Sequence, residues 1–166
     1  MRNIILCGFM GSGKTTVGKR LAQLAGMAFA DMDADITEQA GMTVEEIFEL
    51  YGEAAFRRME RESCVRLAAR QNLVVAAGGG ALLFPENREA LAATGTIVWL
   101  DLPPETVIER LAGDTTRPLL RGNDPEQKIR ELYALRRPLY EAAAQIRVNG
   151  DQSPDAVARE IMGTIK

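Results

Sequence analysis

A glycine-rich segment has the residue types and the spacing that phosphate binding requires. Residues 8–15 read GFMGSGKT and match the pattern G-x-x-x-x-G-K-[ST] in full, between an apolar run and an amphipathic helical pattern. The glycines let backbone N–H groups turn inward around phosphate oxygens, and the next helix adds positive potential at its N-terminus. Lys14 is expected to reach the β- and γ-phosphates of ATP, and the Thr15 hydroxyl to ligate Mg²⁺. The predicted nucleotide contacts here are Gly11, Ser12, Gly13, Lys14, Thr15 and Thr16.

Carboxylates follow the second predicted strand, residues 27–30. Asp31 and Asp33 have the spacing to project from one side of an extended segment, at the sheet edge where ligands collect. Phosphoryl transfer needs a group that orients the acceptor hydroxyl, and an aspartate is the natural candidate because the chain has no histidine. N-capping of the next helix explains these acids equally well, so both interpretations stay open. Asp35 fits a cap or a solvated residue.

Three consecutive glycines, Gly78, Gly79 and Gly80, follow the apolar run 73–76. Such a run costs chain entropy unless the backbone must approach another group closely. A bound ligand is one explanation and a crowded crossing of a helix and a strand is the other. We favour the ligand.

The arginines have both a functional and a structural interpretation. Arg57 follows Glu53 by four residues in a predicted helix, which is the spacing of a solvated ion pair. Arg136 lies near a predicted helix end, where a positive charge complements the helix dipole. Taken singly, each arginine fits a surface position better than a site. A planar guanidinium is nevertheless the group best suited to bind a substrate carboxylate.

A polar segment at about residues 113–124 is expected to be a lid loop that closes over the phosphates and excludes water. Arg117 lies within this segment and Arg110 lies just before it. Both are therefore candidates for contacts with the nucleotide.

The elements that must position these residues alternate between strand and helix. This alternation predicts an α/β fold, with a parallel sheet covered by helices on both faces. The less apolar runs, 27–30 and 146–148, are expected at the sheet edges. The predicted strands are residues 4–7, 27–30, 73–76, 97–100 and 146–148; the predicted helices follow the phosphate loop and cover about 44–51, 53–70, 85–93, 104–112, 125–140 and from 154 onward.

Composition bounds the class of protein. A chain of 166 residues with 46% hydrophobic residues suits one compact domain, residues 1–166. The formal net charge is −3, and because nucleic-acid binders usually carry a basic excess, no nucleic-acid partner is expected. No apolar stretch approaches the roughly 20 residues of a membrane span, so we expect a cytoplasmic protein with no membrane partner. We also expect a monomer. Cys7 and Cys64 lack metal-site spacing and are expected to be reduced.

Nearly the whole chain resembles the shikimate kinase family. The phosphate loop alone is shared by many families, but the whole set of motifs in this order is specific. The motifs are residues 8–15, Phe29-x-Asp31-x-Asp33, Gly52-Glu53-x-x-Phe56-Arg57-x-x-Glu60, Gly78-Gly79-Gly80-Ala81, and Arg117-Pro118-Leu119-Leu120 followed by Arg136-x-Pro138-Leu139-Tyr140. The resemblance implies a three-layer P-loop kinase fold with a five-stranded parallel sheet in the order 2-3-1-4-5. It also implies transfer of the ATP γ-phosphate to the 3-hydroxyl of shikimate, a step of aromatic amino acid biosynthesis.

The resemblance implies a role for each matching residue. Asp33 would hold the acceptor hydroxyl and take its proton, while Asp31 would support Mg²⁺ together with Thr15. The implied catalytic residues are Asp33, Lys14 and Arg117. The implied substrate contacts are Asp33, Arg57, Gly78, Gly79, Gly80 and Arg136, with the acid-binding segment at about residues 31–61. Further nucleotide contacts are implied for Arg110, Arg117 and Gln152, the last in the loop 150–154 beside the adenine.

One position departs from the family pattern, and rival activities stay open. The family often has glutamate four residues after the catalytic aspartate, where this chain has Thr37; we expect altered local pairing without loss of activity. The rivals are a gluconate or nucleoside-monophosphate kinase, a non-catalytic shikimate- or nucleotide-binding module, and a nucleotide-gated switch. ADP formation with each acceptor separates them.

Overall fold

The structure, a computed structural model, describes residues 1–112, 120 and 122–165. Five parallel strands form one sheet in the spatial order β2-β3-β1-β4-β5, which confirms the expected α/β fold and strand order. The strands are β1 (Asn3–Cys7), β2 (Ala28–Asp31), β3 (Leu73–Ala76), β4 (Gly95–Asp101) and β5 (Ile146–Asn149). The helices are α1 (Lys14–Ala25), α2 (Met32–Ala40), α3 (Val44–Ala68), α4 (Pro85–Thr94), α5 (Pro104–Leu111), α6 (Pro125–Ala143) and α7 (Pro154–Ile165), with a short 3₁₀ helix at Ala81–Leu83.

Helices cover both faces of the sheet, and each face has its own apolar core. One core packs α1 and α7 against the sheet, and the other packs α2 to α6 against the opposite face. β1 and β3 are buried throughout, whereas β2 and β5 are partly exposed. The prediction that the less apolar runs form the sheet edges is therefore confirmed. None of the helices in the described part of the chain has the length and apolar content of a membrane span.

Local signals predicted the helix starts well. Thr43 and Glu46 form the complete capping box at the start of α3, and Asp124 accepts from the Gln127 N–H at the start of α6. α3 contains a kink at Gly52, whose φ of 85° and ψ of 174° are open to glycine alone. The two helices predicted on either side of this residue are therefore present, joined end to end at the kink within α3.

The segment after β2 differs from the prediction. Helix α2 starts at Met32, directly after the strand, so Asp33 lies in a first helical turn and not on an extended segment. The cap of this helix is Asp31, whose Oδ1 accepts from the Ala34 N–H at 3.1 Å. Asp35 is not the cap; it accepts hydrogen bonds from Ser63 and Arg66 of α3. An immediate turn into helix puts a capping carboxylate at the strand end itself.

Candidate active site

Two adjoining pockets open at the carboxyl ends of the central strands. The P-loop pocket, of about 320 Å³, is lined by the glycine-rich loop, the start of α1 and the end of β3. The arginine pocket, of about 370 Å³, is lined by residues of α3, the glycine run, Arg57 and Arg136. Four residues line both pockets: Met10, Asp33, Gly78 and Gly79. The loop of Lys14 therefore shares one cleft with Asp33 and Arg136.

The P-loop pocket is built at the junction of β1 and α1. Gly13 has a φ of 89° and is the N-cap of α1, and the cap makes no side-chain hydrogen bond. The first N–H groups of α1 therefore lie at the pocket, with the positive end of the helix dipole. Lys14 Nζ donates to the Gly8 and Phe9 carbonyls at 2.8 and 3.0 Å, and Arg110 Nη1 donates to the Gly11 carbonyl at 3.2 Å. These contacts hold two cations against the loop.

Ser12 is a predicted nucleotide contact whose side chain points elsewhere. Only 2% of the residue is exposed, and its hydroxyl has no hydrogen-bond partner among the residues that the structure describes. The residue lines a small cavity with Trp99 and Tyr140, behind the loop. A contact from Ser12 to a phosphate would therefore use its backbone N–H, as the loop geometry favours.

The side chains of Thr15 and Asp31 fit a Mg²⁺ site. Thr15 Oγ1 donates to Asp31 Oδ2 at 2.6 Å, so a hydroxyl and a carboxylate meet at the wall of the P-loop pocket. Both are oxygen donors of the kind that Mg²⁺ prefers. The capping role of Asp31 and the metal role expected for it are compatible, because its two carboxylate oxygens contact different groups.

The arginine pocket holds two largely buried guanidinium groups. Arg136 is 3% exposed and lies over the Phe9 ring, 5.6 Å from its centre. Arg57 lies over the Phe56 ring at 5.4 Å and donates to Glu53, as its spacing predicted. The surface interpretation of these two arginines is nevertheless wrong, because both line a pocket and are shielded from solvent. Paired guanidinium groups on one pocket wall suit a carboxylate ligand.

Glu60 is a pocket residue that the site prediction omitted. Its side chain is 1% exposed, and its Oε1 accepts from Arg57 Nη1 at 3.0 Å. Burial raises the pKa of Glu60, the positive charge of Arg57 opposes that rise, and the negative charge of Asp33 adds to it. The sequence signal was its place three residues after Arg57 within the family motif. That spacing puts both side chains on one helix face.

The glycine run brings charged side chains close to the backbone. A Cβ on Gly78 would lie 2.8 Å from Glu60 Oε2, and one on Gly80 would lie 2.5 Å from Arg57 Nη1. A Cβ on Gly79 would lie 3.3 Å from Arg136 Nη1. The close approach predicted for this run is therefore present, and the approaching groups are charged side chains of the arginine pocket.

Two predicted nucleotide contacts stay untested. Arg117 lies outside the described residues, as does most of the lid segment 113–124. Gln152 is exposed and donates to the Asn149 carbonyl and to Glu160, each at 2.8 Å. Gln152 is absent from the described lining of both pockets, so its contact with adenine stays a prediction.

At the position of the family glutamate, the Thr37 hydroxyl donates to the Ala34 carbonyl at 3.0 Å.

Comparisons with known proteins agree with this geometry. The family model described as shikimate kinase matches residues 10–166. The chain is 50% identical to a shikimate kinase of Symbiobacterium thermophilum, over 96% of this chain and 94% of that protein. It is 45% identical to a shikimate kinase of Persephonella marina over the full length of both.

A solved structure is similar throughout. The shikimate kinase from Acinetobacter baumannii in complex with shikimate superposes with a TM-score of 0.96 at 42% identity, and the match covers 99% of this chain and 93% of that one. Sequence, motif order and fold therefore agree over nearly the whole length, and the chain belongs to the shikimate kinase family.

Proposed function

We propose that this chain transfers the γ-phosphate of ATP to the 3-hydroxyl of shikimate. Membership of the family makes the chain an ATP-dependent kinase. The observation that carries the proposal is the shared lining of the two pockets: Asp33, Gly78 and Gly79 border both. A phosphate donor in one pocket and a hydroxyl acceptor in the other would meet at Asp33.

The acceptor is bound by its carboxylate in this proposal. Arg57 and Arg136 would hold the shikimate carboxylate, and the backbone of Gly79 and Gly80 would border its ring. Support comes from the burial of both guanidinium groups, since a charge pair is stronger where water is excluded. Glu60 would keep Arg57 in place. A pocket for a neutral sugar would not need two cations on one wall.

The reaction would be an in-line displacement with little covalent chemistry by the protein. Asp33 would orient the 3-hydroxyl and accept its proton as the bond from that oxygen to the γ-phosphorus forms. The bond from the γ-phosphorus to the bridging oxygen breaks, and ADP leaves. Lys14, the first N–H groups of α1 and Arg117 would stabilise the negative charge of the moving group. Mg²⁺, when bound, supplies further neutralisation of the phosphates, and Thr15 and Asp31 would hold it.

We propose a monomer as the active form. We propose no nucleic-acid or membrane partner.

The proposed activity is tested by supplying ATP and Mg²⁺ with shikimate, gluconate or a nucleoside monophosphate and measuring ADP. We expect ADP with shikimate alone, and ³¹P NMR should place the phosphate on the 3-hydroxyl. Turnover with another acceptor and none with shikimate would overturn the proposal.

A further inference from the structure

Tyr140 on α6 connects the core to the glycine run. The residue is 2% exposed, and its ring packs near that of Trp99 with 6.3 Å between the centroids. Its hydroxyl donates a hydrogen bond to the carbonyl of Gly79, 61 residues away in the chain. Burial raises the pKa of Tyr140, so the hydroxyl keeps its proton and stays a donor. Tyr140 follows Arg136 by four residues, so the two side chains project from the same helix face.

Each carbonyl of the glycine run has its own donor. The Gly78 carbonyl accepts from the Ala81 N–H at 3.1 Å, and the Gly80 carbonyl accepts from the Leu83 N–H at 3.2 Å. These two bonds belong to the turn and the 3₁₀ helix that follow. The Gly79 carbonyl instead accepts from a side chain. The peptide between Gly79 and Gly80 is therefore held from outside the segment.

The direction of this peptide decides where the Gly80 N–H points. In a trans peptide the carbonyl and the following N–H point in opposite directions, and the described chain has no cis peptide bond. Because Tyr140 holds the Gly79 carbonyl from the core side, the Gly80 N–H points away from the core. Gly80 lines the arginine pocket, whereas Tyr140 does not. A glycine pair can adopt other peptide orientations at little steric cost, so an anchor is needed.

We propose that Tyr140 is a positioning residue for the acceptor: its hydroxyl fixes the Gly79–Gly80 peptide so that the Gly80 N–H is presented to the acceptor in the arginine pocket. The proposal rests on the proposed function, because the acceptor is taken to be shikimate. Tyr140 itself contacts neither substrate. Its effect is expected on the acceptor, because Gly80 lines the arginine pocket and is absent from the described lining of the P-loop pocket.

The first test is the kinetics of Tyr140→Phe, which removes one oxygen and keeps the ring. We expect the KM for shikimate to rise about tenfold, as when a buried carbonyl loses its donor, with the KM for ATP unchanged within about twofold. The matched control is Tyr133→Phe, seven residues earlier on α6, whose hydroxyl donates to Asp101 instead. We expect wild-type constants for the control. A merely structural Tyr140 would lower the melting temperature while leaving both KM values unchanged, and that result overturns the proposal.

A second measurement does not depend on turnover. In ¹⁵N-glycine-labelled protein, saturating shikimate should shift the Gly80 amide resonance of the wild type, and less than half as far in Tyr140→Phe. Equal shifts in both proteins would overturn the positioning role, even if the variant were too unstable for kinetics. Failure of the proposed function is seen separately, because the wild type would then form no shikimate-dependent ADP.

Discussion

The guanidinium of Arg57 and the carboxylate of Glu60 form a shielded ion pair, with 3.0 Å between Nη1 and Oε1. The pair lies against the glycine run, because Glu60 approaches Gly78 and Arg57 approaches Gly80. A buried charge of either sign is costly unless its partner stays in place. The orientation of Arg57 therefore depends on a carboxylate that does not itself need to touch the substrate.

The raised pKa of Glu60 predicts a specific dependence of stability on pH. Above its ordinary value of 4.5 the carboxyl ionises first in the unfolded chain, which favours unfolding. The contribution of Glu60 to stability is thus fully present below pH 4.5 and lost as pH rises through the folded-state pKa. We expect the unfolding free energy of the wild type to fall relative to that of Glu60→Gln across this window, measured by urea titration from pH 4 to 8.

The control for this experiment is Glu53→Gln, because Glu53 contacts the same arginine at 3.3 Å but is 56% exposed. An exposed ion pair contributes little to stability. The difference in unfolding free energy between Glu53→Gln and the wild type should therefore change little with pH. If the unfolding free energies of Glu60→Gln and the wild type changed in parallel from pH 4 to 8, burial would not be acting on the ionisation of Glu60.

Asp33 is expected to be required for turnover and not for nucleotide binding. It lies in the first turn of α2 at the border of the two pockets, where an acceptor hydroxyl would meet the γ-phosphate. Asp33→Ala should lower kcat by about 100-fold or more, the scale of a lost general base, while ATP affinity by calorimetry stays near that of the wild type. Asp35→Asn is the matched control, since Asp35 is in the same helix but pairs with Ser63 and Arg66. Normal turnover of Asp33→Ala would remove this residue from the mechanism.

Arg136 is expected to bind the acceptor through its forked geometry as well as its charge. Arg136→Lys keeps the charge but loses the planar pair of donors, so the KM for shikimate should rise about tenfold or more, with the KM for ATP nearly constant. Arg137→Lys is the control, because Arg137 lies over the Trp99 ring and outside the described lining of the arginine pocket. A second check uses shikimate methyl ester. The ratio of its KM to the KM for shikimate should be smaller in Arg136→Lys than in the wild type. An unchanged ratio would contradict a contact between Arg136 and the carboxylate.

Much of the fold was predictable because its signals are local. Capping residues at Thr43 and Asp124 gave helix starts, and the uneven apolar content of the strands gave the sheet edges. The strand order came from the resemblance to a family and is confirmed, as is the family itself. Local patterns alone did not fix that order, because strand pairing joins residues far apart in the chain.

The parts of the site that were missed depend on contacts between distant residues. Spacing could not show that Asp31 is at once a helix cap and the partner of Thr15, 16 residues earlier. Nor could it show that Arg136 is buried, because helical periodicity on α6 does not say which neighbours cover a charge. The catalytic and binding roles of these residues stay predictions that the variants here are designed to test.

Gly80→Ala tests the arginine pocket without straining the backbone. Gly80 has a φ of −100° and a ψ of −2°, which alanine adopts readily, so the added methyl acts only through its 2.5 Å approach to Arg57 Nη1. The guanidinium must move, and we expect the KM for shikimate to rise about tenfold, the scale of a displaced positioning group. Gly163→Ala on α7 is the control, since no heavy atom lies within 4 Å of its added Cβ. An unaltered KM in Gly80→Ala would mean that the position of Arg57 is not critical.

Asp31→Asn separates the two contacts of Asp31. Asparagine caps helices about as well as aspartate, so the melting temperature should stay near that of the wild type. The loss of negative charge beside Thr15 should instead raise the Mg²⁺ concentration for half-maximal activity about tenfold, as for other carboxylates that support a metal site. Asp31→Ala should show the same change in Mg²⁺ dependence and also lose about 1 kcal/mol of stability, because the Ala34 N–H loses its acceptor. If the Mg²⁺ dependence of Asp31→Asn matched the wild type while Asp31→Ala lost only stability, Asp31 would be a helix cap with no metal role, and Thr15 would have to hold Mg²⁺ without it.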